Sequence, residues 1–294
     1  MKNVAIIGAS GFVGPYLVQE FTQAGYSVFP VDLPEVDILK RETLDAFFTK
    51  VKPDFVVNLA AISSVGASWN NPGLTVQVNV NGSLNVLDSL VSVGLLSSRI
   101  LLVGSSEQYA PCDRPILETD PLLATNPYGV SKIAQENFSS LYQKKYGLKI
   151  INTRSFNHTG VGQSDQFVIP SFCKQVAEID KRGVPGKIAV GNLSAYRDIS
   201  DVRDVVHVYR MLLEEDQTES IFNVGSGKVH RIKDLLDYIL SLSSCKIEVI
   251  EDPARMRPVE NPYLCCNPSR IERYWGGRDL KDTIREMFLY FKEH

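Results

Sequence analysis

The chain has 294 residues, 44% of them hydrophobic and 22% charged, which suits a globular core and excludes a disordered or fibrous protein. Its net charge of -3 and pI near 5.9 exclude bulk attraction to nucleic acid or anionic lipid, so a phosphate site has to be built locally and small-molecule partners are expected. The five cysteines form no CxxC pair and the four histidines are scattered, so neither a disulfide framework nor a metal site is expected, and the adjacent Cys265 and Cys266 read as buried thiols.

Residues 4–7 form a short apolar strand that runs into Gly8-Ala9-Ser10-Gly11-Phe12-Val13-Gly14, and 15–24 continue as a helix. This start leaves no room for a signal peptide, and no apolar run approaches the ~18 residues of a membrane span. No membrane partner is therefore expected, and the setting is read as the reducing cytoplasm. The GxxGxxG spacing is one residue longer at its first gap than the GxGxxG fingerprint, but the physics is alike. Glycines allow a tight turn and close backbone approach to a pyrophosphate, and the helix N-terminus faces negative charge.

Residues 28–32 form a second strand ending at Asp32. A carboxylate there can accept from both adenosine ribose hydroxyls and repels a 2′-phosphate, which favours NAD(H) and leaves NADP(H) possible. Asp37 follows so closely that the usual helix and third strand are cut down, and it is placed near the adenine.

Residues 43–50 and 76–93 read as helices, 55–59 and 100–103 as strands. Ser105 follows the last of these at the strand's carboxyl end, an active-site position in a parallel sheet, with Glu107 beside it. Residues 128–146 form a long helix stopped by Gly147. Its Tyr128 and Lys132 stand at i and i+4 on one face. A fixed cation at ~4 Å with an effective dielectric of ~20 is worth about 4 kcal/mol, enough to bring the phenol toward neutrality as a general acid–base.

Strands at 149–153 and 221–224 complete a pattern of alternating strands and helices, the signature of a parallel sheet covered on both faces. The strand order stays open. Residues 156–195 are looser, with one helix near 172–181, and 229–294 carry a helix at 232–242, a strand at 247–250 and an amphipathic end. The expected fold is α/β: a doubly wound parallel sheet formed by 1–155 and 196–228, with a smaller, discontinuous α/β substrate-binding region, 156–195 and 229–294, over the strand ends.

In the motifs Gly8 to Gly14, Asn58-Leu59-Ala60-Ala61, Asn79-Val80-Asn81-Gly82, Ser105 and Tyr128 to Lys132, the chain resembles the extended short-chain dehydrogenase/reductases that act on nucleotide sugars. That resemblance implies a Rossmann-type domain, cofactor contacts from Leu59, Ala60 and Ala61, and a Lys132 that also holds the nicotinamide ribose. It also implies Ser63 near the substrate and a homodimer built through helices 76–93 and 128–146. Asn58 departs from the family's usual histidine. Arg154 to Gly160, Gly191 to Asp198, Asp201 to Asp204 and Arg257 to Glu260 are similar to the group of GDP-mannose 4,6-dehydratase and GDP-4-dehydro-6-deoxy-D-mannose reductase. Here Arg197 and Arg257 can fork onto a sugar diphosphate, Asn157 and Asn192 can bind its oxygens, and Glu260 can accept from a ribose hydroxyl.

A reductase and a dehydratase share this pocket. Glu107 stands where a dehydratase keeps its C5 base, yet related reductases retain it too. Ser105, where dehydratases carry threonine, and Asp32 in a shortened segment lean toward reduction of the C4 ketone of GDP-4-dehydro-6-deoxy-D-mannose, giving GDP-D-rhamnose or GDP-6-deoxy-D-talose. GDP-mannose 4,6-dehydratase or a nucleotide-sugar 4-epimerase is the alternative. A regulator that only senses dinucleotide is disfavoured, because Tyr128 and Lys132 are both present.

Overall fold

The computed structural model describes residues 1–255 and 261–294. In the first half, β1 (Asn3–Ile7), α1 (Val13–Gln23), β2 (Ser27–Val31), α2 (Arg41–Val51) and β3 (Phe55–Asn58) are followed by short helices α3 (Val65–Asn70) and α4 (Pro72–Val76). A wide π-helical turn, Gln77–Gly82, joins α4 to α5 (Ser83–Ser92), so the helix expected at 76–93 starts earlier, at Pro72. Then come β4 (Arg99–Ser105), a single 3-10 turn at Ser106–Gln108, α6 (Pro127–Tyr146) and β5 (Lys149–Ser155). The start of α6 is written locally: the Asn126 side chain accepts from the Gly129 amide at 2.9 Å, and Pro127 occupies the first turn. Gly147, at φ +73°, ends it.

The second half contains β6 (Asn157–Thr159), α7 (Val168–Arg182), β7 (Gly186–Val190), β8 (Tyr196–Asp201), α8 (Val202–Glu214), β9 (Ile221–Val224), β10 (Val229–Arg231), α9 (Ile232–Ser241), β11 (Ile247–Glu251), β12 (Tyr263–Leu264) and α10 (Leu280–Glu293). Helix α8 was not expected. Its valine-rich sequence has low helix propensity, but Asp201 caps it by accepting from the Arg203 amide at 2.7 Å, and its apolar face is buried.

Six parallel strands form the central sheet in the order β2-β1-β3-β4-β5-β9. Successive side chains of β1 face opposite layers. Val4 and Ile6 pack with Leu17 and Phe21 of α1 and Val205 and Tyr209 of α8, whereas Ala5 and Ile7 pack with Leu44 and Phe48 of α2 and Leu90 of α5. The chain leaves β1 toward β2, then crosses back to place β3 on the other side. A crevice opens at that reversal, beyond the strands' carboxyl ends. The remaining strands form two small sheets, β10-β8-β12 with β6 beside β8, and β11-β7. A separate apolar core from α7, α9 and α10 lies against them, including Phe172, Leu236 and Phe288.

Candidate active site

The glycine loop lies at the crevice and is shaped by contact. Gly8 has φ +78°, and a Cβ there would stand 2.6 Å from the Ala60 amide nitrogen; at Gly14 it would stand 2.0 Å from the Ala9 carbonyl oxygen. Only glycine lets β1, the loop after β3 and the start of α1, which includes Val13, come this close. Leu59 and Ala61 lie in the same loop, and Asn58 accepts from the Ala60 amide at 3.2 Å while donating to Ser83 at 3.3 Å. The Asp32 carboxylate meets the loop's other side, accepting from the Ser10 hydroxyl at 2.5 Å and amide at 3.0 Å and from the Leu33 amide at 2.8 Å. Burial raises its pKa, but these bonds outweigh burial and hold it below the ordinary carboxylate value. A backbone cradle closed by an ionised carboxylate at the end of β2 fits a nicotinamide dinucleotide. Asp37 shapes the turn before α2, accepting from the Leu39 amide at 3.0 Å.

Ser105 ends β4, where its hydroxyl accepts from the Glu107 amide at 3.2 Å and neighbours the Tyr128 phenol; both residues are buried. Gly129 makes the approach possible, because a Cβ there would stand 2.3 Å from the Glu107 carbonyl oxygen. The Lys132 ammonium is also buried, and it donates to the Val103 carbonyl at 2.7 Å and to Gln135 Oε1 at 3.0 Å. The expected drop of the phenol toward neutrality is not met. Burial raises Tyr128 to about 12, with the neighbouring Ser105 hydroxyl lowering it and the Glu107 charge raising it, while burial pushes Lys132 down to about 7. The ammonium directs donors to a carbonyl and an amide, so desolvation dominates both groups.

Glu107 accepts from Asn126 Nδ2 at 2.9 Å, and these two residues line one narrow cavity with Tyr109, Arg197 and Asn261. Arg197 is buried and donates to the Tyr196 carbonyl at 2.8 Å. Thus Ser105, Glu107, Tyr128 and Lys132 gather around the end of β4, and Arg197 reaches the cavity beside Glu107. Asn157 is exposed on β6, Ser63 is exposed in the loop after β3, and Asn192 accepts from Ser194 at 2.8 Å in a turn. Arg257 and Glu260 lie outside the described residues.

Two residues join the site without having been singled out. Asn126 links Glu107 to the first turn of α6, and the Asn126-Pro127 pair, a helix-start signal, was its available trace. Asn79, matched only within a motif, sits in the π-helical turn and clamps the loop after β3. Its amide accepts from Ile62 N at 2.8 Å and donates to the Ile62 carbonyl at 3.1 Å and to Ser131 Oγ at 2.9 Å. Nearby, Phe12 stacks on His158 with ring centroids 6.2 Å apart, and Tyr16 donates to the Val161 carbonyl at 2.7 Å, tying α1 to the segment after β6.

A family model described as GDP-mannose 4,6 dehydratase matches residues 30–287. GDP-6-deoxy-D-mannose reductase of Pseudomonas aeruginosa is 33% identical over 97% of this chain and 95% of its own length. GDP-6-deoxy-D-talose 4-dehydrogenase of Aggregatibacter actinomycetemcomitans is 27% identical over 97% of each chain. Among solved structures, RMD from Pseudomonas aeruginosa complexed with NADPH superposes with a TM-score of 0.91 at 28% identity, covering 100% of this chain and 99% of that one. With the parallel sheet, the glycine cradle and the buried Ser105–Tyr128 pair already in place, these matches show that the chain belongs to the GDP-mannose 4,6-dehydratase family of extended short-chain dehydrogenase/reductases.

Proposed function

We propose that the protein reduces the C4 ketone of GDP-4-dehydro-6-deoxy-D-mannose to GDP-D-rhamnose or its C4 epimer, GDP-6-deoxy-D-talose. The observation that carries this reading is the buried Ser105–Tyr128 pair at the end of β4, beside the glycine cradle. A reduction needs a proton donor at this position. A dehydratase or epimerase uses the same pair in the opposite sense when it first oxidises C4, and similarity over 97% of the chain to a protein named GDP-6-deoxy-D-mannose reductase favours reduction. Tyr128 gives its proton to the C4 oxygen, and the Ser105 hydroxyl donates a second hydrogen bond to the same oxygen as charge develops. Lys132, steadied by the Val103 carbonyl, presents its third N–H toward the cofactor ribose. The chemistry that a nicotinamide dinucleotide supplies in the cradle is hydride transfer to a carbonyl carbon.

Gly8, Gly11, Phe12, Val13 and Gly14 form the cofactor's pyrophosphate side, with Leu59 to Ala61 facing them and Asp32 on the adenosine ribose. Arg197 and Arg257 grip the diphosphate; Ser63, Asn157, Asn192 and Glu260 contact the rest of the nucleotide sugar. Similarity to two proteins named for GDP-6-deoxy sugars supports a GDP-sugar substrate. The five cysteines are free thiols, which suits a reducing cytoplasmic setting. We further place a homodimer contact on α6, where Val130, Phe138 and Leu141 are exposed within one arc of the helix.

The test is to incubate the protein with GDP-mannose alone, and separately with the 4-keto sugar plus NADH or NADPH. Oxidation of the reduced cofactor is expected only with the keto sugar. Turnover of GDP-mannose without added reductant would overturn the reductase reading. Asp32 favours NADH in the same assay, and a clear preference for NADPH would remove that assignment.

A further inference from the structure

We propose that Gln108 is a positioning residue that, anchored by Glu136 and Arg154, sets the Ser105 hydroxyl against the Tyr128 phenol. The proposal rests on the reading of Ser105 and Tyr128 as the acid–base pair. Gln108 is fully buried, and its amide bridges the strand end and α6. Gln108 Oε1 accepts from the Ser105 backbone amide at 2.8 Å, and Nε2 donates to Glu136 Oε2 at 3.0 Å. Only one orientation of the side-chain amide satisfies both partners, a donor on one side and a carboxylate on the other.

Glu136 stands one helical turn beyond Lys132 and two beyond Tyr128, on the same face of α6. Its carboxylate is locked from β5 by the Arg154 fork, at 2.9 Å from Nε and 2.6 Å from Nη2. Arg154 also donates to the Tyr109 hydroxyl at 2.8 Å and the Glu118 carbonyl at 2.9 Å, and Tyr109 donates to Asn223 of β9 at 2.6 Å. Strands β4, β5 and β9 and helix α6 are thus joined in one buried frame.

Gly104 leaves room for the bridge, since a Cβ there would stand 2.4 Å from Gln108 Oε1. Lys132 and Gln135 bind the Val103 carbonyl from the same helix, at 2.7 and 3.3 Å. Helix α6 therefore grips β4 through the carbonyl of residue 103 and, by way of Gln108, the amide of residue 105. These two holds fix the direction in which the Ser105 side chain leaves the strand. A buried ion pair commonly gives no more stability than packed apolar side chains, so stability alone does not require this frame. Geometry does, because a misplacement of about 1 Å in a reacting group costs roughly a hundredfold in rate.

Three variants test the proposal in the intact protein with the 4-keto sugar and NADH: Gln108→Met, Gln108→Glu and Tyr128→Phe. Gln108→Met is expected to lower kcat by about a hundredfold, with KM and the NADH dissociation constant held within about threefold. Gln108→Glu keeps the shape, but its carboxylate faces Glu136 and repels it until protonated; the carboxylic acid then remakes both bonds. Its kcat, relative to the parent at the same pH, is expected to recover as pH falls from about 9 to about 6. Gln108→Met with kcat within about threefold of the parent, or Gln108→Glu tracking the parent at every pH, would overturn the proposal. If Gln108→Met does not fold, the pH profile of Gln108→Glu decides alone. Activity retained by Tyr128→Phe would instead overturn the acid–base reading. An inactive Tyr128→Phe beside a fully active Gln108→Met would overturn the positioning role and leave that reading standing.

Discussion

Lys132 occupies the core with its ammonium on a carbonyl and an amide oxygen, and burial holds its pKa near 7. In the unfolded chain it returns to about 10.4. Between those values the unfolded state binds the extra proton, so stability rises with pH, by up to about 1.4 kcal/mol per unit from this group. Thermal melts from pH 7 to 9.5 are expected to show that rise for the parent and a flatter profile for Lys132→Met; parallel profiles would show that burial does not depress this lysine. Above about pH 10 the sign reverses, because Tyr128 and Tyr209 are held up at about 12 by burial and keep protons that the unfolded chain releases. The sequence placed Tyr128 and Lys132 on one face because helical spacing is local. It misjudged their ionisation because desolvation depends on the strands and helices packed around them, which no spacing reports.

At the scale of elements, the strand-turn-helix at Gly8 to Gly14 was legible because strand, glycines and helix adjoin in sequence. What the sequence left open was the partner of the turn, the loop at Leu59 and Ala60, which the crossing from β2 to β3 brings against Gly8. That contact makes a prediction. Gly8→Ala combines a positive φ, costing about 1–2 kcal/mol for an alanine, with a backbone collision that must push the two loops apart. Chemical denaturation is expected to show a loss of about 2 kcal/mol or more, and NADH titration a weaker affinity. Unchanged values would mean that the loop after β3 yields freely. Strands β7 and β8 escaped sequence reading for the same reason as the Gly8 partner: Ile188, Val190 and Ile199 are buried in a second core, assembled with α7, α9 and α10 from distant segments, and α8 is held by the core it shares with β1 and α1.

Across the whole molecule, two apolar cores sandwich the central sheet while a third supports the smaller sheets. Helix α6 belongs to both the site and the surface. Its inner face carries Tyr128, Lys132 and Glu136, and its outer face exposes Val130 at 53% and Leu141 at 58%. If copies pair there, Leu141→Glu places a charge in the contact, and sedimentation is expected to shift from dimer to monomer with the fold retained. A parent chain that sediments as a monomer, or a variant that remains dimeric, would exclude this face.

The wide turn at Gln77–Gly82 bears on how chains of this kind tolerate change in length. It holds one residue more than a regular helix. Because the extra residue is taken up within one turn, removing it lets the turn close to an ordinary helical one while α4 and α5 keep their facing sides. What changes is the aim of the residues inside the turn, and with it the hold of Asn79 on the Ile62 loop and on Ser131. A one-codon deletion here is therefore absorbed by the helix and felt at the cofactor-side loop.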